Sequence, residues 1–223
     1  MKKIKELINS RDFIIFDMDG VIINSEPLKA AAYQKVFIDK FGINIDHNDI
    51  SWRGKPEPYV IKYLLNRHNI DSQDIQELIQ LKRLNYKESL EDNITLIEGI
   101  RDFLSYLKDQ NKTISLATTS NKAEQTAIFK LFDLEPYFTN VLTLDDITQP
   151  KPHPEIYLKM LDILNADKAN CLVFEDTPSG VMAANKAGLE AVCVLSSYKK
   201  DDFSGCEYFI KDFNELLIPE IPC

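Results

Sequence analysis

The sequence predicts a doubly wound α/β fold: a parallel sheet whose strands alternate with helices, interrupted early by an all-helical insert. Apolar runs suited to buried strands occur at FIIFDMD (13–19), TISLATT (113–119), CLVFEDT (171–177) and EAVCVLSS (190–197), with a weaker one from Val141 to Leu144. Helical patterns fall between them, over 99–110, 122–133, 154–165 and 178–188, the last closed by Gly188 as a C-cap. Strand alternating with helix requires crossover connections and therefore parallel pairing. Residues 27 to 92 break that rhythm, with no strand pattern and three amphipathic helical ones over 27–41, 56–68 and 71–90. The expected division is a core of residues 1–24 and 93–223 and a helical cap of residues 25–92. The insert follows the first strand directly, where doubly wound sheets place their ligands, so it is expected to act as a lid.

The first strand ends in Asp17-Met18-Asp19-Gly20. Asp-x-Asp-Gly alone reads equally well as a turn. The four apolar or aromatic residues before Asp17, Phe13-Ile14-Ile15-Phe16, supply a stiff approach that a plain turn does not need. The strand from Leu172 to Phe174 delivers a second acidic pair, Glu175 and Asp176, ahead of a helix at Pro178. Asp176 or Thr177 could simply cap that helix. If the two strands are neighbours, Asp17 and Asp176 form the hard-oxygen site that magnesium prefers, with waters and a substrate phosphate completing an octahedron.

TISLATT closes on Thr118 and Thr119, and Ser120 follows, giving hydroxyls and backbone N–H groups where an anion would bind, although hydroxyls before a helix are commonly caps. Lys151 lies in QPKPHPE, among prolines 150, 152 and 154 that fix its backbone without dictating where the ammonium goes.

The whole-chain numbers exclude several classes. With 223 residues, 44% hydrophobic and 27% charged, the chain has ordinary globular composition. A formal charge of −9 and a pI near 4.9 oppose the collection of nucleic acid or anionic lipid, so neither is expected as a partner. No apolar run reaches the roughly 18 residues of a membrane span, and MKKIKELINSRD lacks a signal-peptide core; a cytoplasmic protein is expected. Cysteines 171, 193, 206 and 223 lack zinc-site spacing and are read as reduced thiols. His47, His68 and His153 show no ligand spacing.

FDMDGVIINSEPL, SLATTSNK, KPHPEIY and VFEDTPSGVMAANKAG resemble, in order, the four motifs of the haloacid dehalogenase superfamily, in particular its phosphatase and β-phosphoglucomutase-like branch. The resemblance spans the chain and implies a Rossmann-like core with a helical cap. It also implies roles: Asp17 as nucleophile forming an aspartyl-phosphate, Asp19 as general acid/base, and Thr118, the Thr119 N–H and Lys151 cradling the transferring oxygens. Mg2+ would be held by the Asp17 carboxylate, the Asp19 backbone carbonyl and Asp176, with Glu175 in or near the shell. Asp19 points to phosphate esters, because branches cleaving carbon–halogen or carbon–phosphorus bonds differ there.

Phosphatase and mutase share this core, and the cap separates them. At the positions where β-phosphoglucomutases carry a cap histidine and arginine, this chain has Lys29 and Glu57. A carboxylate facing a phosphate repels it where an arginine would bind it, which favours hydrolysis. WRGKPEP (52–58) aligns with the specificity loop, making Arg53, Gly54 and Lys55 candidate substrate contacts, together with Ser120, Asn121, Lys122 and Lys82. The expected function is a Mg2+-dependent phosphatase of a small phosphorylated metabolite, foremost a sugar phosphate, acting as a monomer or weak homodimer. A β-phosphoglucomutase-like isomerase is the second reading, and a non-catalytic phosphate-binding protein the third.

Overall fold

The computed structural model describes residues 1–46, 52, 57–71 and 74–217, with the backbone alone at 90–93. Two compact units divide the chain, Met1–Asn24 with Leu96–Cys223, and Ser25–Thr95.

The first unit is built on β1 (Phe13–Phe16), β4 (Thr113–Ala117), β5 (Asn140–Leu142), β6 (Cys171–Glu175), β7 (Glu190–Val194) and β8 (Tyr208–Ile210). All adjacent pairs are parallel, in the order β5-β4-β1-β6-β7-β8. The chain starts at the middle of the sheet, builds one way to β5, then returns to the other side of β1; the order reverses there, as at the ligand-binding edge of Rossmann-like folds. Two short strands, β2 (Ile23–Asn24) and β3 (Thr95–Leu96), stand where the chain leaves this unit and returns.

β1 reads as an unbroken apolar run because it is central and covered on both faces. Phe16, fully buried, stacks on Phe174 with ring centroids 5.0 Å apart and also meets Phe103 of α5 (Ile100–Asp109) and Phe213. Ile15 and Val173 face the opposite layer, joining Tyr157 and Met160 of α7 (Glu155–Leu164) and Val181 and Ala184 of α8 (Pro178–Ala187) in one buried cluster. Together the two layers fix both faces of the strands that carry the acidic residues.

The observed strands stop before several of the predicted ends, because Asp17, Thr118 and Asp176 leave the ladder as polar groups. Besides the two-residue β2 and β3, the predicted set lacks α1 (Lys2–Asn9), β8 and α9 (Asn214–Leu217). α1 is short and rich in lysine, yet Ile4 and Ile8 lie on one face and are buried. β8 is an edge strand of three residues, too short for a periodicity signal. The reading of the cysteines as reduced thiols is corrected at one pair. Cys193 and Cys206 are joined by a disulfide, while Cys171 is a buried free thiol. The 13-residue separation conceals a proximity that arises only when β7 pairs with β8.

The second unit packs α2 (Glu26–Phe41), α3 (Glu57–Arg67) and α4 (Ile75–Asn93) around Val36, Phe37, Ile61, Leu64, Leu78 and Ile79. Gly42 ends α2 in the left-handed region at φ 68°, and Asp74 caps α4 by accepting from the N–H groups of Gln76 and Glu77. Among the described residues, no helix is long and apolar enough to cross a membrane.

Candidate active site

In the parallel register, Phe16 lies beside Leu116 on one side and Phe174 on the other. The next residues along, Asp17, Ala117 and Glu175, therefore stand at one level, Ala117 and Glu175 ending their strands and Asp17 just past the end of β1. Backbone bonds hold that edge: the Asp17 N–H donates to the Phe174 carbonyl and the Thr118 N–H to the Leu142 carbonyl, each at 3.0 Å. Carboxylate oxygens of Asp17, Glu175 and Asp176 all lie within 4.8 Å of one another, and all three residues are buried.

Lys151 reaches this cluster from the loop before α7. Its Nζ donates to Asp17 Oδ1 at 2.6 Å, to Glu175 Oε1 at 2.6 Å and to the Ala117 carbonyl at 2.9 Å, with the side chain only 5% exposed. The prolines around Lys151 fix a loop whose backbone is further tied to Glu155, whose carboxylate accepts from the N–H groups of Thr148 and Gln149. Burial opposes the charged ammonium, but Asp17 and Glu175 outweigh it and raise Lys151 well above its ordinary range. Burial likewise pushes the Asp17 carboxyl up to about 7; Lys151 pulls against that rise, and Glu175 and Asp19 reinforce it. Three acidic groups around one ammonium leave a net negative centre that favours a further cation.

Glu175 is the most engaged of the three. Oε1 accepts from Lys151 Nζ and from the Tyr157 hydroxyl at 2.9 Å; Oε2 accepts from the N–H groups of Asp176 and Thr177 and from the Thr177 hydroxyl. These five donors exceed the roughly four lone-pair sites of a carboxylate, so its capacity is already taken up. Asp17 and Asp176 are the better direct ligands. Two carboxylates with room for water and phosphate oxygens is the usual protein contribution to a Mg2+ site, so the donor set fits that ion.

Asp19 follows at the start of a tight loop in which the N–H groups of Ile22 and Ile23 both donate to the Met18 carbonyl. The Ser120 hydroxyl donates to Asp19 Oδ2 at 2.6 Å, which joins the loop after β1 to the loop after β4. Thr118 is buried and its Oγ1 accepts from the Ser120 N–H at 3.0 Å, while Thr119 is exposed. Asn121 caps α6 (Lys122–Phe132) by accepting from the Glu124 N–H, and the Lys122 side chain is exposed. Thus Asp17, Lys151, Glu175 and Asp176 are joined by short polar contacts, and Asp19, Ser120 and Thr118 by a second set, on segments that follow neighbouring strands.

The remaining candidates belong to the helical unit. Lys82 is buried and donates to Glu57 Oε1 at 3.1 Å, between the rings of Tyr33 and Tyr86 at 5.2 and 5.1 Å; Arg83 also bonds Glu57, at 2.6 Å. Glu57 is therefore the acceptor of two cations, and burial, which would raise its carboxyl, is outweighed by them so that it is held low. Lys29 lies 3.5 Å from Glu26. Arg53, Gly54 and Lys55 lie outside the described residues.

Sequence reasoning passed over Tyr157, Ser196 and Ser197. Tyr157 is the last residue of the KPHPEIY motif, and its helical position facing the sheet was the available signal. Ser196 and Ser197 close the apolar run EAVCVLSS, where the change from apolar to hydroxyl side chains marks the same sheet edge.

The family model described as haloacid dehalogenase-like hydrolase matches residues 14–194. A phosphorylated carbohydrates phosphatase of Thermotoga maritima is 34% identical over 185 residues, covering 80% of this chain and 82% of that protein. Among solved structures, a HAD hydrolase of family IA, variant 3, from Entamoeba histolytica is 26% identical with a TM-score of 0.79, covering 92% of this chain and 94% of that one. A Thermotoga maritima structure ascribed to β-phosphoglucomutase is 30% identical with a TM-score of 0.73, covering 90% of this chain and 94% of that one.

Proposed function

Because this chain belongs to the haloacid dehalogenase-like hydrolase family, we propose that it is a Mg2+-dependent phosphatase of a small phosphorylated metabolite, foremost a sugar phosphate. The observation that carries this reading is the meeting of Asp17, Glu175 and Asp176 oxygens within 4.8 Å, with Lys151 bonded to two of them. The similarity to a phosphorylated carbohydrates phosphatase supports the substrate class.

Asp17 and Asp176 would hold Mg2+, which would supply charge neutralisation that lets a carboxylate approach an anionic phosphate. An Asp17 oxygen attacks phosphorus, the P–O bond to the organic alcohol breaks, and Asp17 carries the phosphoryl group. Asp19, entering as the acid, gives its proton to the leaving oxygen. Its carboxylate then takes a proton from water, whose oxygen attacks the aspartyl-phosphate and restores Asp17. The Ser120 hydroxyl orients Asp19 for both transfers, and such acid/base assistance is worth about 10² to 10⁴-fold. Lys151 neutralises charge on the transferring oxygens and keeps Asp17 in place, with Thr118 beside it. Glu175 and Tyr157 hold Lys151 rather than reacting.

Selection among esters is assigned to the helical unit as a cap. Within that unit Glu57 is the carboxylate partner of Lys82 and Arg83, so Lys82, a candidate substrate contact, is already engaged by a carboxylate where a mutase carries an arginine. The test is release of phosphate from p-nitrophenyl phosphate and from a panel of phosphometabolites, with and without Mg2+. Mg2+-dependent release, greatest for sugar phosphates and lost in Asp17→Asn, is expected. No release from any ester contradicts the reading. Glucose 6-phosphate forming faster than free phosphate from β-glucose 1-phosphate and its bisphosphate would favour the isomerase instead.

A further inference from the structure

We infer that Ser197, with Ser196 beside it, is a positioning residue that fixes the Asp176 carboxylate for divalent-cation binding, an inference that rests on the phosphatase reading above. β7 pairs with β6 so that Cys193 lies beside Glu175, which brings the turn after β7 to the end of the strand that carries Asp176. There the Ser197 hydroxyl donates to Asp176 Oδ2 at 2.5 Å, and the Ser196 hydroxyl donates to the Gly20 carbonyl at 2.5 Å. Two consecutive hydroxyls thus tie both acidic segments, the loop after β1 and the end of β6, to a third strand.

Gly20 shows how closely these segments meet. A Cβ there would lie 1.9 Å from Asp176 Oδ2 and 2.9 Å from Ser197 Oγ, and its φ of +77° already favours glycine. Carboxylate torsion about the terminal bond is soft, so a bond to one oxygen sets the plane in which the group meets a cation. Orientation fixed before binding leaves less freedom to lose on binding. Groups that orient a ligand carboxylate from behind are typically worth about 10- to 100-fold in metal affinity.

The test titrates the purified full chain with Mn2+, without any phosphate ester, and counts free Mn2+ by electron paramagnetic resonance. Ser197→Ala is expected to weaken binding by about 10- to 100-fold, Ser197→Thr to restore it, and Asp176→Asn to abolish it. If Ser197→Ala binds as tightly as the wild type while Asp176→Asn does not bind, the inference is overturned and the phosphatase reading stands. A loss shared equally by Ser197→Thr would assign the effect to the shape of the turn and also overturn it. If the wild type and Asp176→Asn bind alike, the cation site itself is absent and both readings fall.

Discussion

A methyl group at Gly180 would lie 1.9 Å from the Glu175 carboxylate carbon, so the first turn of α8 approaches that carboxylate with only hydrogen between them. Gly180→Ala is therefore expected to destabilise the protein by about 1–3 kcal/mol, read from the midpoint of urea unfolding, since neither helix nor carboxylate has space to yield. Lys151 has the opposite problem, because it is the ammonium that two buried carboxylates share. Lys151→Met strands both charges and is expected to cost about 3–5 kcal/mol in the same measurement, with phosphatase activity lost as well. Of these groups, Asp17, Asp19, Asp176 and Thr118 were legible at the ends of strand patterns, whereas Lys151 entered only through the motif resemblance, since its prolines say nothing of where the ammonium goes. Glu175 was legible as an acid but not in its engagement, since five donors from three segments converge on it only after folding. Ser197 carried no pattern at all beyond its place at a strand end.

At the scale of elements, the loop before α7 matters most, because it carries Lys151. Glu155 fastens it: the Lys159 ammonium and the Thr148 N–H, with Gln149 also donating, hold the Glu155 carboxyl down to about 2 from an ordinary 4.5. A lowered value means stability that is present above 4.5 and lost as pH falls through about 2. Glu155→Gln should accordingly be less stable than the wild type at pH 7, and the difference should shrink as the pH is lowered from 4.5 towards 2, as chemical denaturation at several pH values will show. The disulfide between Cys193 and Cys206 closes a short loop between neighbouring strands, for which loop entropy gives up to about 3 kcal/mol. Cys206→Ser should lower unfolding stability by up to that amount under oxidising conditions and leave it unchanged in excess reductant. The alternation of β1, β4, β6 and β7 with helices was visible because each of these buried strands is a continuous apolar run, and the short β5 was visible more weakly. α1 and β8 were not, because one relies on two isoleucines in a basic stretch and the other on pairing with β7.

Over the whole molecule, the break in strand–helix rhythm points to a helical segment over residues 25–92, and one of the two compact units of the structure is Ser25–Thr95. The net charge of −9 repels small phosphates at long range; in the proposed phosphatase, attraction would be recovered locally through Lys151 and a bound cation, where short distance and low dielectric outweigh the screened global field. On the proposed mechanism the reaction would depend on Asp17 twice, as cation ligand and as the group that takes the phosphoryl. The most direct measurement mixes the enzyme with Mg2+ and a sugar phosphate, quenches it in acid within the first turnover, and locates the added phosphoryl group by peptide mass spectrometry. The account predicts that the group is found on Asp17 and disappears as free phosphate forms; a phosphoryl group on another residue, or undiminished phosphate release by Asp17→Asn, would contradict it.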